Sequence, residues 1–117
     1  MKRQLKQLTN KEIQILKRYF DTYRFQIEFN LVYEAQIPHI ALVLLNGIAT
    51  LQEKRKKIGE VPPGTLLGLH QVLTNSPSKQ GLRLASGAEV VLILKSQLME
   101  VLNNKRSEAY QILKMAF

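Results

Sequence analysis

Cysteine is absent from the 117 residues. That excludes disulfides, thiolate metal sites and a cysteine nucleophile, and it fits a reducing compartment. No apolar run approaches the roughly 18–20 residues that a membrane-spanning helix needs. Met1-Lys2-Arg3-Gln4-Leu5-Lys6-Gln7-Leu8 carries positive charge with no apolar stretch behind it. No secretory signal peptide is therefore expected, and the chain reads as cytoplasmic. Histidine is scarce as well. His39 and His70 stand 31 residues apart without H-x-H or E-x-x-H spacing, so no metal ligand set is assigned. A Gly-x-Ser-x-Gly elbow, a P-loop and paired carboxylates are also missing, which leaves no catalytic residue and no cofactor to propose. Gly59-Glu60 and Gly64-Thr65 read as turn glycines rather than phosphate cradles. An enzyme is not expected.

What is present is ordinary globular composition, 45% hydrophobic and 22% charged, with a net charge of +8. Basic excess invites a nucleic-acid or anionic-membrane reading. Seven of the seventeen cations precede residue 25, and Lys54-Arg55-Lys56-Lys57 adds four more. Nothing among them resembles a recognition helix or an RNA-stacking motif, so they read as solvated faces and nucleic acid is not an expected partner.

Thr9-Asn10-Lys11-Glu12 has the pattern of a capping box, in which hydroxyl and carboxylate each satisfy a backbone N–H. Behind it Ile13, Leu16, Phe20 and Tyr23 recur at helical spacing. From Phe25 to Leu31 apolar and polar residues alternate, which predicts a half-buried strand. Two apolar runs, Ile40–Leu45 and Ile48–Leu51, flank Asn46-Gly47, a strong hairpin signal because both turn residues tolerate positive φ. Pro62-Pro63-Gly64 interrupts the ladder. A short helix starts near Gly68, residues 75–81 form a loop, and Leu82–Ala85 turns at Ser86-Gly87 into Glu89–Leu94. Helices return at Ser96 and Ser107. The expectation is one mainly β domain over 1–117, a jelly-roll β-barrel of cupin-like character. It comprises an N-terminal helix over 9–22, a β-roll over 25–95 and C-terminal helices over 96–117.

Three stretches in order, Leu44–Leu51, Ile58–Gly68 and Leu84–Leu98, make the chain resemble the cyclic-nucleotide-binding domain of the catabolite-activator and protein-kinase-regulatory type. The resemblance implies a phosphate-binding cassette that opens with Gly-Glu and closes with an arginine about ten residues later. There the glutamate bonds the ribose hydroxyl and the arginine clamps the cyclic phosphate in a bidentate fork. In this chain Gly68 is followed by Leu69, which accepts no hydrogen bond. The arginine slot falls on Ser78 or on Lys79, depending on the direction of counting. The ligand positions that the resemblance implies are thus Gly68, Leu69, His70, Ser78 and Lys79, with both charged anchors of the cassette missing. Leu66, Leu67 and Leu69 either fill the pocket or leave it open. Arg83, between Leu82 and Leu84, is turned away from them by strand alternation.

Relatives of this type pass their signal to an attached module, and no room for one is expected after Phe117. Apolar residues of the last segment fall on more than one helical face, with Tyr110, Leu113 and Phe117 the candidates for partner contact. The segment either docks on a partner or a second copy, or folds under the barrel. The functional expectation is a non-catalytic regulatory or adaptor domain that binds a protein partner or itself, with usual cyclic AMP or cyclic GMP binding lost. The alternative is a sensor for a cyclic nucleotide or another anionic nucleotide in a divergent pocket.

Overall fold

The computed structural model of the chain describes residues 6–116. It runs β1 (Lys6–Gln7), α1 (Asn10–Leu16), β2 (Asp21–Arg24), β3 (Phe29–Val32), β4 (Ile40–Asn46), β5 (Ala49–Glu53) and β6 (Lys56–Val61). Then come β7 (Thr65–Leu67), α2 (Leu69–Thr74), β8 (Gly81–Leu84), β9 (Glu89–Leu94), α3 (Lys95–Leu102) and α4 (Glu108–Ala116). All strand pairings are antiparallel and fall into two sheets, β1-β7-β4-β9-β2 and β3-β8-β5-β6. This is the jelly-roll architecture with flanking helices that the residue pattern led us to expect.

The first sheet is covered on both faces, which is why Ile40-Ala41-Leu42-Val43-Leu44 shows no polar alternation. Ala41 and Val43 join Leu66, Val91 and Ile93 against Leu16, Phe20, Val72, Leu98 and Leu113 of the helical layer. Leu42 and Leu44 turn the other way with Leu67 and Val90, and meet Ala49, Val61, Leu82 and Leu84 of the second sheet. The roll interior is thus packed with aliphatic side chains.

Three local expectations are corrected. The Thr9–Glu12 capping box forms, with Glu12 N–H donating to Thr9 Oγ1 at 3.2 Å and Thr9 N–H to Glu12 Oε1 at 2.8 Å. The helix nevertheless ends at Leu16 rather than near residue 22. Arg18 and Tyr19 donate to carbonyls three residues back, which tightens and closes the last turn. Tyr23 then belongs to β2, opposite Val90, because β9 offers a ladder that outweighs helical periodicity.

The alternation from Phe25 to Leu31 is likewise not one strand. β2 stops at Arg24, Phe25 is buried at a corner, and β3 begins in the other sheet at Phe29. The Phe25 and Phe29 rings stack across that corner with centroids 5.5 Å apart.

Asn46-Gly47 also marks a corner and not a hairpin. β4 pairs with β7 and β9, whereas β5 pairs with β6 and β8. Gly47 has φ +94°, and a Cβ there would stand 2.7 Å from the Ala88 Cα. Glycine is required by that close approach as much as by the turn. Ser86-Gly87 makes a third crossing between sheets, tied to the first by Phe25 N–H donating to Ala88 O at 2.9 Å and Gly87 N–H to Phe25 O at 2.7 Å. The sequential hairpin is β5–β6, turned by Lys54 and Arg55 at φ +51° and +66°. Among the described residues no helix is long and apolar enough to cross a membrane.

Candidate functional site

Gly68 closes β7 and stands before α2 at φ +85°. Leu69, next in line, is only 4% exposed and packs in the cluster between first sheet and helices, with Val72 of the same helix beneath it. It is a core residue. The three leucines divided by the sequence reading go separate ways: Leu66 and Leu69 into the helical layer, Leu67 into the space between the sheets. His70, on the other side of α2, is exposed.

The loop after α2 is closed by the chain itself. Asn75 ends the helix at φ +53°, and its side-chain oxygen accepts from Lys95 Nζ. Ser78 N–H donates to Gln36 O at 2.8 Å, while Ser78 O accepts from Ala35 N–H at 2.7 Å. The Ser78 hydroxyl donates to Gln80 O at 2.6 Å. On the opposing side, the β3–β4 connection is stiffened by Gln36 Oε1 accepting from Tyr33 N–H at 2.9 Å, and it holds Ala35 at φ +71°. A loop that is to cradle a phosphate offers unpaired N–H groups; here the Ser78 N–H already has a carbonyl.

Ser78 and Lys79 do line a concavity, of about 540 Å³, together with Glu34, Ala35, Glu53, Ser76 and Pro77. Gly68, Leu69 and His70 are not among its lining residues. Two carboxylates and one lysine line it, a balance that disfavours an anion by simple Coulomb repulsion. The acidic side chains were missed by the sequence reading because Glu34 sits in the turn after β3 and Glu53 at the end of β5, far apart in the chain. Only the fold of β3 against β8 and β5 gathers them.

A second concavity of about 330 Å³ lies on the outer face of the second sheet, lined by Asn30, Val32, Tyr33, Glu34, Gln52, Arg55, Gly81 and Arg83. Arg83 points outward as its strand position implied. Its Nε donates to Asn30 Oδ1 at 3.0 Å, and Nη1 lies 3.3 Å from Glu28 Oε1. Among the described residues no three His, Asp or Glu side chains gather as a metal site would require.

The three candidate partner-contact residues fare differently. Leu113 is 1% exposed and belongs to the core, so it is corrected from surface to interior. Tyr110 is half-buried against the same cluster, with Lys114 Nζ 6.0 Å from its ring centre. Phe117 lies outside the described residues. α4 spends Ala109, Ile112 and Leu113 on its own domain, leaving Met115 at 79% exposure.

No family model matches this sequence, and no curated protein matches it. Solved structures do. A chain described with a cyclic-GMP-dependent signalling pathway that regulates bacterial phytopathogenesis superposes with a TM-score of 0.75 at 12% identity, over 94% of this chain and 91% of that one. The Thermus thermophilus catabolite activator protein gives a TM-score of 0.70 at 12% identity, over 93% of this chain and 53% of its own, so the present chain spans about half of that protein. A cyclic nucleotide-binding-like protein from Brucella abortus gives 0.67 at 22% identity, over 81% and 85%. Identities of this order speak for architecture and not for ligand. At that level, this chain has the fold of the cyclic-nucleotide-binding domains.

Proposed function

We propose that the chain is a non-catalytic regulatory module that engages a protein partner and no longer takes cyclic AMP or cyclic GMP in the manner of its fold relatives. The observation that carries this reading is Leu69, which stands where the resemblance calls for the ribose-binding carboxylate and is buried in the core. A ribose hydroxyl left there without an acceptor costs about 1–3 kcal/mol. The phosphate end adds to it: the Ser78 N–H is taken by Gln36 O, and Lys79 shares its concavity with Glu34 and Glu53. What remains is a rigid roll with helices on one side, suited to presenting a surface.

The test is amide-shift perturbation on labelled protein titrated with cyclic AMP, cyclic GMP and cyclic dinucleotides. A well-dispersed spectrum unmoved at millimolar nucleotide is the expected result. Saturable shifts centred on Gly68–His70 and Ser78–Gly81 would overturn the reading in favour of a sensor.

A further inference from the structure

The net charge of the chain is unevenly placed. Residues 21–94, which form the roll apart from β1 and also carry α2, hold seven Lys and Arg against six Asp and Glu, close to neutrality. Residues 6–20 and 95–116, which contribute α1, α3 and α4, hold eight Lys and Arg against three Glu. The excess therefore belongs to the helical side. Six of its cations, Lys11, Lys17, Arg18, Lys105, Arg106 and Lys114, are exposed.

The packing draws several of these together. Arg18 Nη1 lies 3.5 Å from Glu108 Oε1, which joins the end of α1 to the start of α4. Gln111 Nε2 donates to Lys105 O at 3.1 Å, folding the α3–α4 connection back onto α4. Lys17 and Arg18 thus meet the same end of the layer as Lys105 and Arg106. Arg18–Glu108 is an ion pair of this layer whose side chains are 67% and 61% exposed, so it neutralises little. Within the same helices two large apolar side chains stand in solvent, Met115 at 79% and Met99 at 46% exposure. Unbranched, polarizable methionine suits an adaptable binding surface.

We infer that this helical face docks an acidic amphipathic segment of a partner protein, with carboxylates against the lysine and arginine rim and apolar side chains over Met99 and Met115. The inference rests on the module reading above and names the partner's chemistry. Charge complementarity selects an acidic partner. The methionines argue against nucleic acid, whose phosphates offer nothing apolar to cover them. A lipid surface fits poorly too. Helices that lie in a bilayer interface turn a continuous apolar face outward, and α4 has turned Ala109, Ile112 and Leu113 into the core.

The experiment uses the full chain and a fluorescent synthetic peptide of about twenty residues, with glutamate on one helical face and leucine on the other, read by anisotropy. Binding should weaken steeply with salt. The double variant Lys105→Glu/Arg106→Glu should raise Kd by about tenfold or more, while Arg55→Glu/Lys56→Glu, the same charge change on the roll, should raise it by less than about twofold. Polyglutamate lacking leucine should bind at least about fivefold more weakly than the amphipathic peptide. Equal losses from both double variants would overturn the inference, because net charge alone would then explain the binding. Tighter binding of duplex DNA or of phosphatidylserine vesicles than of the peptide would overturn it as well. Failure of the peptide with cyclic nucleotides also silent would defeat the acidic partner and leave the module reading standing. Nucleotide shifts at Gly68–His70 would defeat both.

Discussion

Replacing Leu69 with glutamate writes back the carboxylate that the cyclic-nucleotide resemblance calls for, and the structure says that it will fail for a physical reason. Leu69 is buried between α2, the first sheet and the helical layer. Fully burying a leucine side chain stabilises by about 1.5–3 kcal/mol. Truncating leucines in packed cores costs about 2–5 kcal/mol once the cavity is counted. Glutamate fills some of the volume but brings a carboxyl group among apolar side chains, so we expect Leu69→Glu to cost about 4 kcal/mol. Against a typical domain stability of about 5–15 kcal/mol that is a large fraction. Urea unfolding followed by circular dichroism reads it directly, and the melting temperature should fall by about 15 °C. Lys79→Ala, at an exposed position, serves as the comparison and should leave stability within about 0.5 kcal/mol. A Leu69→Glu protein within about 1 kcal/mol of the parent would refute the burial reasoning. Saturable cyclic AMP binding by that variant would refute the reading of the site as well.

Other expectations follow from the packing. Gly47→Ala should cost about 3 kcal/mol in the same assay, since it combines positive φ with a 2.7 Å approach to Ala88 Cα, whereas Gly87→Ala at φ +88° in open space should cost about 1 kcal/mol. Equal costs would mean that the close approach is relieved by movement of the 85–88 corner. Lys54→Asn/Arg55→Gly should stabilise the β5–β6 hairpin by about 1 kcal/mol, because both replaced residues sit at positive φ; no gain in urea midpoint would count against strain there. Ending the chain before Ser107 should unfold it, because Ile112 and Leu113 together supply about 3–6 kcal/mol of burial; a cooperative thermal transition in the truncated protein would show α4 to be dispensable.

The architecture was legible because it rests on local chemistry repeated along the chain. The capping box, the two-faced apolar run of β4 and the glycine turns are each written in a few adjacent residues. What was misread depends on distant contacts. Asn46-Gly47 supplies the backbone for a hairpin or a corner equally well, and the choice is made by Ala88, more than forty residues later. Tyr23 keeps helical spacing with Phe20, yet the free ladder of β9 claims it. The site followed the same rule. The missing carboxylate at Leu69 could be read from the letters, because a leucine side chain has no acceptor. That Ser78 would be satisfied by Gln36, and that Lys79 would share a concavity with Glu34 and Glu53, required distant segments to be folded together. Leu113 was placed on the wrong side because its helix has apolar residues on several faces, and only the packing of α4 decides which is inward.

The order of strands within the sheets has a consequence for how the molecule is made. β1 pairs with β7 through Lys6 and Leu66, and β4 with β9 through Ile40 and Leu94. Each such pairing must close a loop of more than forty residues before it returns any stabilisation, an entropic toll that slows chains of high contact order. Among the described residues the β5–β6 hairpin alone joins strands adjacent in sequence. Folding therefore has one cheap starting point, at the end of the molecule farthest in sequence from both termini. The first sheet is completed only after β9, which joins β4 to β2, has left the ribosome. Until then β4 has only its two rungs with β7, Leu42 to Leu67 and Val43 to Leu66, and the edge that β9 will take stands open along a largely aliphatic strand, the segment through which a nascent chain of this protein is most exposed to aggregation.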